Sequence, residues 1–189
     1  MPTRTQWLWF AGVLLCLVVA TPARAADCGC ANHIYGTSGN DNITGTGSAD
    51  CIDADDGDDT IDSGDGCDSI DAGDGNDIVY AGTGNDVVYG EFLTSHTSNV
   101  NDTLYGEGGN DSIDGWDGND LLGGYYGDDT LFGSDGDDDI WGTHDNDYLV
   151  GHDGNDTLRG GNGTDYGNGG NGTDSCTELE TSASCEIFF

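Results

Sequence analysis

AGDGNDIVY at 72–80 is followed without a gap by AGTGNDVVY at 81–89. Outward from this pair, the same nine-residue frame can be laid from Gly36 to Thr177. Fifteen blocks fit: fourteen have nine residues, and one, Gly90 to Tyr105, is stretched to sixteen by an insertion around Phe92 to Asn99. Together they cover 142 of the 189 residues, so the repeat decides the fold.

The sixth position is aspartate in all fifteen blocks: Asp41, Asp50, Asp59, Asp68, Asp77, Asp86, Asp102, Asp111, Asp120, Asp129, Asp138, Asp147, Asp156, Asp165 and Asp174. The eighth is Ile, Val or Leu in thirteen, failing only at Gly167 and Cys176, and the fourth is Gly in twelve, with Ser48, Val100 and Asp145 as exceptions. The first is Gly, Ala or Ser throughout, and Asn or Asp fills the fifth in eleven. Glycine takes positive φ without penalty and Asn or Asp tolerates it, so positions one to six can form a tight turn. Positions seven to nine then form a short strand with its middle side chain inward and its neighbours outward. One aliphatic residue per block cannot bury itself, so coils must stack to make a core. Two blocks make one coil with strands on opposite sides; fifteen blocks predict about 7.5 coils, roughly 36 Å long at ~4.8 Å per coil.

Composition agrees with a specialised chain. There are 34 Gly and 37 acidic residues against three basic ones, Arg4, Arg24 and Arg159, for a formal charge of −34. Such self-repulsion opposes compaction and disfavours nucleic acid or an anionic membrane as a partner. Cations are the natural partners. The repeat order argues against the acidic, Gly-rich disordered chain that composition alone would suggest.

Met1 to Ala25 reads as a secretory signal peptide: Arg4 in a short leading region, an apolar run from Trp7 to Ala20, and Ala23-Arg24-Ala25 as a small-x-small cleavage site. That run is too short to span a bilayer, which takes about 20 residues, so no membrane span is expected once the signal is removed. The expected product is secreted. It keeps 37 carboxylates against Arg159 alone, a formal charge of −36. It also keeps six cysteines, Cys28, Cys30, Cys51, Cys67, Cys176 and Cys185, whose even number in an exported chain argues for disulfides of several possible pairings. The expected organisation is a signal over 1–25, an N-terminal cap over 26–35 with Cys28 and Cys30, the repeats over 36–177, and a C-terminal cap over 178–189. A Cys176–Cys185 bridge could pin that last segment.

The turns offer carboxylates and backbone carbonyls. Hard oxygen donors without sulfur or nitrogen select calcium over softer metals, and its loose six- to eight-fold shell suits such turns better than the strict magnesium octahedron. The blocks resemble the haemolysin-type (RTX) calcium-binding repeat family, whose consensus is G-G-x-G-x-D-x-U-x with U a large apolar residue. Gly73 to Val79 and Gly82 to Val88 follow it from the second position on, and Gly160 to Asp165 matches the turn. The resemblance implies an all-β, right-handed parallel β-roll that folds on binding several calcium ions. It also implies that the fifteen sixth-position aspartates listed above ligate calcium between successive turns on one edge. The second, seventh and twelfth blocks, where the fourth position is not Gly, are expected to hold the weakest sites, and at most thirteen intercoil sites can exist. An EF-hand is rejected: Asn110 to Gly115 imitates its start, but its closing Glu would fall at Leu121.

Third positions differ with block parity. Odd blocks carry Asp56, Asp74, Asp117, Asp135 and Asp153, suggesting the stronger calcium ladder there, whereas the even edge near Tyr125, Tyr126, Thr143 and His144 is freer to meet a partner. Ninth-position Tyr80, Tyr89, Tyr105, Phe132 and Trp141 could form an outer aromatic stripe for glycans. Neither a nucleophile elbow nor a phosphate loop nor an ordered Ser-His-Asp set occurs, and His33, His96, His144 and His152 are scattered in loops. The expectation is therefore a non-enzymatic calcium-binding module, structural or adhesive, with a cell-surface, glycan or protein partner. The alternatives are a glycan- or ice-binding protein on the same scaffold, or the repeat partner of a separately encoded secreted enzyme.

Overall fold

The computed structural model describes residues 7–10, 13–16, 29–91 and 100–183. Two short strands, β1 (Trp7–Phe10) and β2 (Val13–Cys16), pair as an antiparallel hairpin within the segment expected to be removed on export. The roll follows in chain order with β3 (Asn32–Tyr35), β4 (Asn42–Thr46), β5 (Asp50–Asp53), β6 (Thr60–Gly64), β7 (Ser69–Asp71), β8 (Ile78–Tyr80) and β9 (Val87–Tyr89). It continues with β10 (Thr103–Gly108), β11 (Ser112–Asp117), β12 (Leu121–Tyr126), β13 (Thr130–Asp135), β14 (Asp139–His144) and β15 (Tyr148–Asp153). It ends with β16 (Thr157–Asn162), β17 (Tyr166–Asn171), β18 (Ser175–Thr177) and β19 (Thr181–Ala183). All described elements are strands, and no helix among the described residues is long and apolar enough to cross a membrane.

Even-numbered strands from β4 to β18 form one parallel 8-stranded sheet and odd-numbered strands from β3 to β19 a 9-stranded one. Each strand therefore pairs with the strand one coil away, never with its chain neighbour, which makes the chain a parallel β-solenoid of the β-roll type. Register follows the repeat: Ile113 faces Leu131 and Leu122 faces Ile140, eighth position to eighth position. These side chains meet between the sheets. Ile61, Ile70, Leu104, Ile113, Leu122, Leu131, Ile140, Leu149 and Leu158 are fully buried in one continuous cluster. Each contributes about 1.5–3 kcal/mol by leaving water. In blocks three to six the first position adds a second inner row, with Ala54, Ala72 and Ala81 in the cluster and the Ser63 hydroxyl donating to the Ala81 carbonyl at 2.6 Å.

Two features depart from the expected block. From β10 to β17 the strands have six residues, taking in positions one to three of the next block, so the true turn is confined to positions four to six. In the N-terminal half the same stretch is linked by isolated bridges, Asp56 to Asp74 and Asp65 to Thr83. In both halves the bend sits at the second position, which has φ of 71–89° at Asp55, Glu107, Trp116, Tyr125, Ser134, Thr143 and His152. Non-glycine residues hold this left-handed backbone at a cost.

The roll also runs past the counted blocks at both ends. Ile34 in β3 lies in register with Ile52, and Thr181 in β19 with Tyr166. Cys30 is disulfide-bonded to Cys51, with Cα atoms 5.4 Å apart, tying the first partial coil to β5. Cys67 and Cys176 are each engaged in a separate disulfide. The expected Cys176–Cys185 pairing and the role of Cys28 lie outside the described residues.

Fourth-position glycines allow this stacking. They have φ of 124–157° from Gly57 to Gly172, and a Cβ at Gly75 would collide with the Gly57 carbonyl oxygen one coil earlier. At Gly39 a Cβ would meet nothing within 4 Å. Gly75→Ala should accordingly lower the calcium-saturated unfolding free energy by about 2 kcal/mol or more, and Gly39→Ala should leave it within roughly 0.5 kcal/mol, as read by urea unfolding.

Candidate metal centre

The fifteen sixth-position aspartates fall into two columns, one along each edge of the roll. Thirteen of them, from Asp59 to Asp174, share one environment. All are buried, with 0–3% of their surface exposed. In each, Oδ1 accepts the backbone N–H of the sixth-position aspartate one coil earlier: Asp41 N–H donates to Asp59 at 2.7 Å, Asp102 N–H to Asp120 at 2.8 Å, and Asp156 N–H to Asp174 at 3.0 Å. The ladder is equally complete on the other edge, as in Asp50 N–H to Asp68 at 2.8 Å and Asp147 N–H to Asp165 at 2.9 Å. The third-position asymmetry between edges is thus not repeated in these bonds.

The second carboxylate oxygen is different. Oδ2 of all thirteen is buried and has no hydrogen-bond partner. It folds back over the first residue of its own block, where a Cβ at Gly106 or Gly133 would collide with Oδ2 of Asp111 or Asp138. A buried, half-satisfied carboxylate resists ionisation. Burial pushes Asp77, Asp86, Asp120, Asp138 and Asp147 up to about 7, Asp102 and Asp129 to about 8, and Asp111 and Asp156 to about 6.

Asp41 and Asp50 stand apart. The second-position threonine of the same block binds each: the Thr37 N–H and hydroxyl donate to Asp41 Oδ2 at 2.6 and 2.9 Å, and the Thr46 N–H to Asp50 Oδ2 at 2.6 Å. Burial opposes ionisation of Asp50, but bonds from the Asn32 side chain and from Thr46 outweigh it and hold its carboxyl below the usual range. These two aspartates serve as the ends of the ladders.

The blocks expected to be weak keep the ladder. Asp77 N–H reaches Asp102 at 2.8 Å across a separation of 25 residues, so the insertion leaves the stacking intact. In the twelfth block Asp145 adopts φ 72° in the place of the usual glycine, and its carboxylate accepts the Gly127 N–H at 3.2 Å.

Three contributors lie outside the sixth-position aspartates. The fifth position carries a second ladder of opposite direction: Asn119 N–H donates to Asn101 Oδ1 at 2.7 Å and Asp137 N–H to Asn119 Oδ1 at 2.8 Å. Asn and Asp dominate this position because a side-chain oxygen is needed there. Asn32 occupies the sixth position of the partial coil before the first block, its amide donating to Asp50 Oδ1 at 2.6 Å. It lies nine residues before Asp41, the spacing that could have revealed it. At the other end Glu180 receives the Asp165 N–H, doing with a glutamate what aspartate does elsewhere. Its turn is three residues shorter than the repeat, so counting by nines misses it. Leu179 beside it packs on the core over Gly167, the eighth position that lacks an aliphatic side chain.

The donors in these turns are carboxylate oxygens and backbone carbonyls. Among the described residues no three His, Cys, Asp or Glu side chains converge, so a cation would draw on one or two carboxylates and complete its shell from main-chain oxygen. That donor set fits calcium, whose charge would satisfy the orphaned Oδ2 atoms. The family model described as RTX calcium-binding nonapeptide repeat (4 copies) matches residues 31–61, 62–92, 96–125, 124–143 and 141–176. The chain belongs to the RTX calcium-binding nonapeptide-repeat family. Among curated proteins none matches it. The RTX repeats make this a calcium-binding repeat protein, with calcium ions as partners.

The aromatic residues separate by parity. Tyr80, Tyr105 and Trp141 lie on the sheet of β8, β10 and β14, whereas Tyr89 and Phe132 lie on the other, so a single stripe of all five does not form. Successive blocks alternate between sheets, which divides any feature that repeats every nine residues. At the even-block edge Tyr126 stacks on His144 with centroids 4.6 Å apart, and the Thr143 hydroxyl donates to the Tyr125 carbonyl at 2.6 Å.

Without calcium the twelve ladder carboxyls from Asp59 to Asp165 titrate at higher pH in the folded roll than in the unfolded chain, where aspartate is near 3.9. Protonation therefore favours the folded state. The calcium-free roll should be most stable at about pH 4 and lose stability progressively as pH rises from there to about 8, measured by circular dichroism in calcium-stripped buffer. Leu179→Ala should cost about 2 kcal/mol and raise hydrogen exchange in the last coil before the first.

Proposed function

We propose that the protein is exported by its N-terminal signal and folds outside the cell as calcium enters the intercoil turns, then serves as a non-catalytic structural or adhesive module. One observation carries this reading: thirteen buried carboxylates each with one oxygen bonded to the neighbouring coil and the other without a hydrogen-bond partner. Protonation would neutralise most of them only as pH falls through about 8 to 6. Divalent cations do so at neutral pH.

The thirteen aspartates from Asp59 to Asp174 are the proposed ligands, with Asp41 and Asp50 as ladder ends. Their Oδ1 atoms orient each carboxylate through the neighbouring N–H, and the first- and fourth-position glycines keep the turn open to the ion. Calcium would supply the charge that buried carboxylates lack. Because a formed site exists only in the coiled state, binding energy becomes folding energy. Extracellular modules typically bind calcium at roughly 10⁻⁴ to 10⁻³ M, so folding would wait until the chain had left a low-calcium cytoplasm. The disulfide between Cys30 and Cys51 suits the same oxidising exterior.

Far-ultraviolet circular dichroism tests the reading. At pH 7.5 the chain should be largely unfolded in chelator and gain β-structure cooperatively over the millimolar calcium range. Asp120→Ala in the middle of the roll should shift the calcium midpoint upward severalfold, whereas Asp41→Ala at the end should shift it little. A chain fully folded in chelator at that pH would defeat the proposal.

A further inference from the structure

The outward face of the even-numbered sheet carries a row that the calcium turns do not use. Its ninth positions run in register as Tyr80, Tyr105, Gly123, Trp141 and Arg159. The rings of Tyr80 and Tyr105 are 5.5 Å apart, and Tyr125 meets Tyr105 edge-on at 5.7 Å. Gly123 makes room for that contact: a Cβ there would lie 3.0 Å from both Tyr105 and Tyr125. The Trp141 indole N–H donates to Asp139 at 2.6 Å, and Asp139 pairs with Arg159 at 3.5 Å. The guanidinium in turn sits 5.4 Å from the centre of the Trp141 ring.

Beyond Trp141 the face steps down. The second position, filled by Tyr125 and Thr143 in the two preceding coils of this sheet, is Gly161 in the next. The step opens a cleft of about 390 Å³ walled by Trp141, Thr143, Arg159, Asn162 and Glu178 above the Gly161 backbone. That volume is within the range of small-ligand sites, roughly 300–1,000 Å³. The end cap builds the far wall, since the Glu178 carbonyl accepts the Gly161 N–H at 3.2 Å.

We propose that this cleft, with the tyrosine row leading to it, binds a neutral oligosaccharide. A pyranose ring presents an apolar C–H face and a rim of hydroxyls that both donate and accept. The cleft answers with an indole wall and with a guanidinium, a carboxamide, a hydroxyl and a carboxylate around it. Arg159 is the only Lys or Arg after position 25, and Asp139, its ion-pair partner, and Glu178 on the cleft wall offset it, so no net positive charge remains to hold an anion. The acidic field of the whole chain repels polyanions further. A chain longer than the cleft can continue over Tyr125, Tyr105 and Tyr80 across successive strands. The inference goes beyond calcium binding and needs only the folded roll.

The test is titration calorimetry on the full chain, held folded in millimolar calcium and checked by circular dichroism. The probes are cellohexaose, xylohexaose, mannohexaose and chitohexaose, with hexagalacturonate as the anionic control. At least one neutral hexasaccharide should bind saturably with Kd below about 1 mM. Arg159→Gln and Trp141→Ala should each weaken it about tenfold or more, Trp141→Phe should retain most of it, and Tyr35→Ala, exposed on the other sheet, should leave it unchanged. Absence of binding to every neutral probe by a chain that circular dichroism shows to be folded would overturn the proposal and leave the calcium reading untouched. Preference for hexagalacturonate, or equal loss in Tyr35→Ala, would overturn it as well.

Discussion

Every coil of this protein hangs on one bond, the backbone N–H of a sixth-position aspartate donated to the carboxylate of the next. It fixes the spacing and register of the coils, and it brings a carboxylate into the interior of each turn. The bond satisfies only half of that carboxylate. The other oxygen stays buried and unbonded, and the same geometry that stacks the coils therefore creates the demand for a cation. Stability and ligand requirement cannot be separated here, because removing the carboxylate would relieve the electrostatic cost and the stacking together.

The hydrophobic core could not hold the roll by itself against this cost. One aliphatic residue per block, joined only in blocks three to six by a small first-position side chain, makes a narrow core, and the chain carries 37 acidic residues. The fifth-position ladder helps. It sends hydrogen bonds in the direction opposite to the sixth, so each coil is gripped by both neighbours through adjacent residues. Strong local bonding of this kind explains how a chain so rich in glycine keeps a single register.

Much of this was legible because the repeat is regular. Asp at every sixth position, an aliphatic at the eighth and Gly at the fourth specify strand, turn and inward face without knowledge of the fold. The features that escaped are those where the count breaks or where two readings of the period compete. Glu180 lies in a shortened turn and is not aspartate, yet its longer side chain reaches the same N–H. Asn32 extends the frame backwards through a residue that does not match the motif. The bend at the second position holds φ near 80° in residues such as Tyr125 and His152, a conformation that residue type alone does not announce. The turn chemistry was written in composition and spacing; the cleft beside Trp141 arises from neighbours eighteen residues apart and becomes visible only when coils are stacked.

The alternation of strands between two sheets gives the chain a unit of change larger than its unit of sequence. Deleting or duplicating a single nine-residue block would carry everything downstream to the opposite sheet and the opposite edge. Trp141 and Arg159 would then leave the face that holds Tyr80 and Tyr105. Changes of eighteen residues preserve every face, and an insertion such as the one around Phe92 to Asn99, which leaves the ladder through Asp102 unbroken, does so too. Growth and trimming of such a roll should therefore proceed by whole coils or by insertions that leave the ladder in register, and the surface pattern of a family member should record which of these it has undergone.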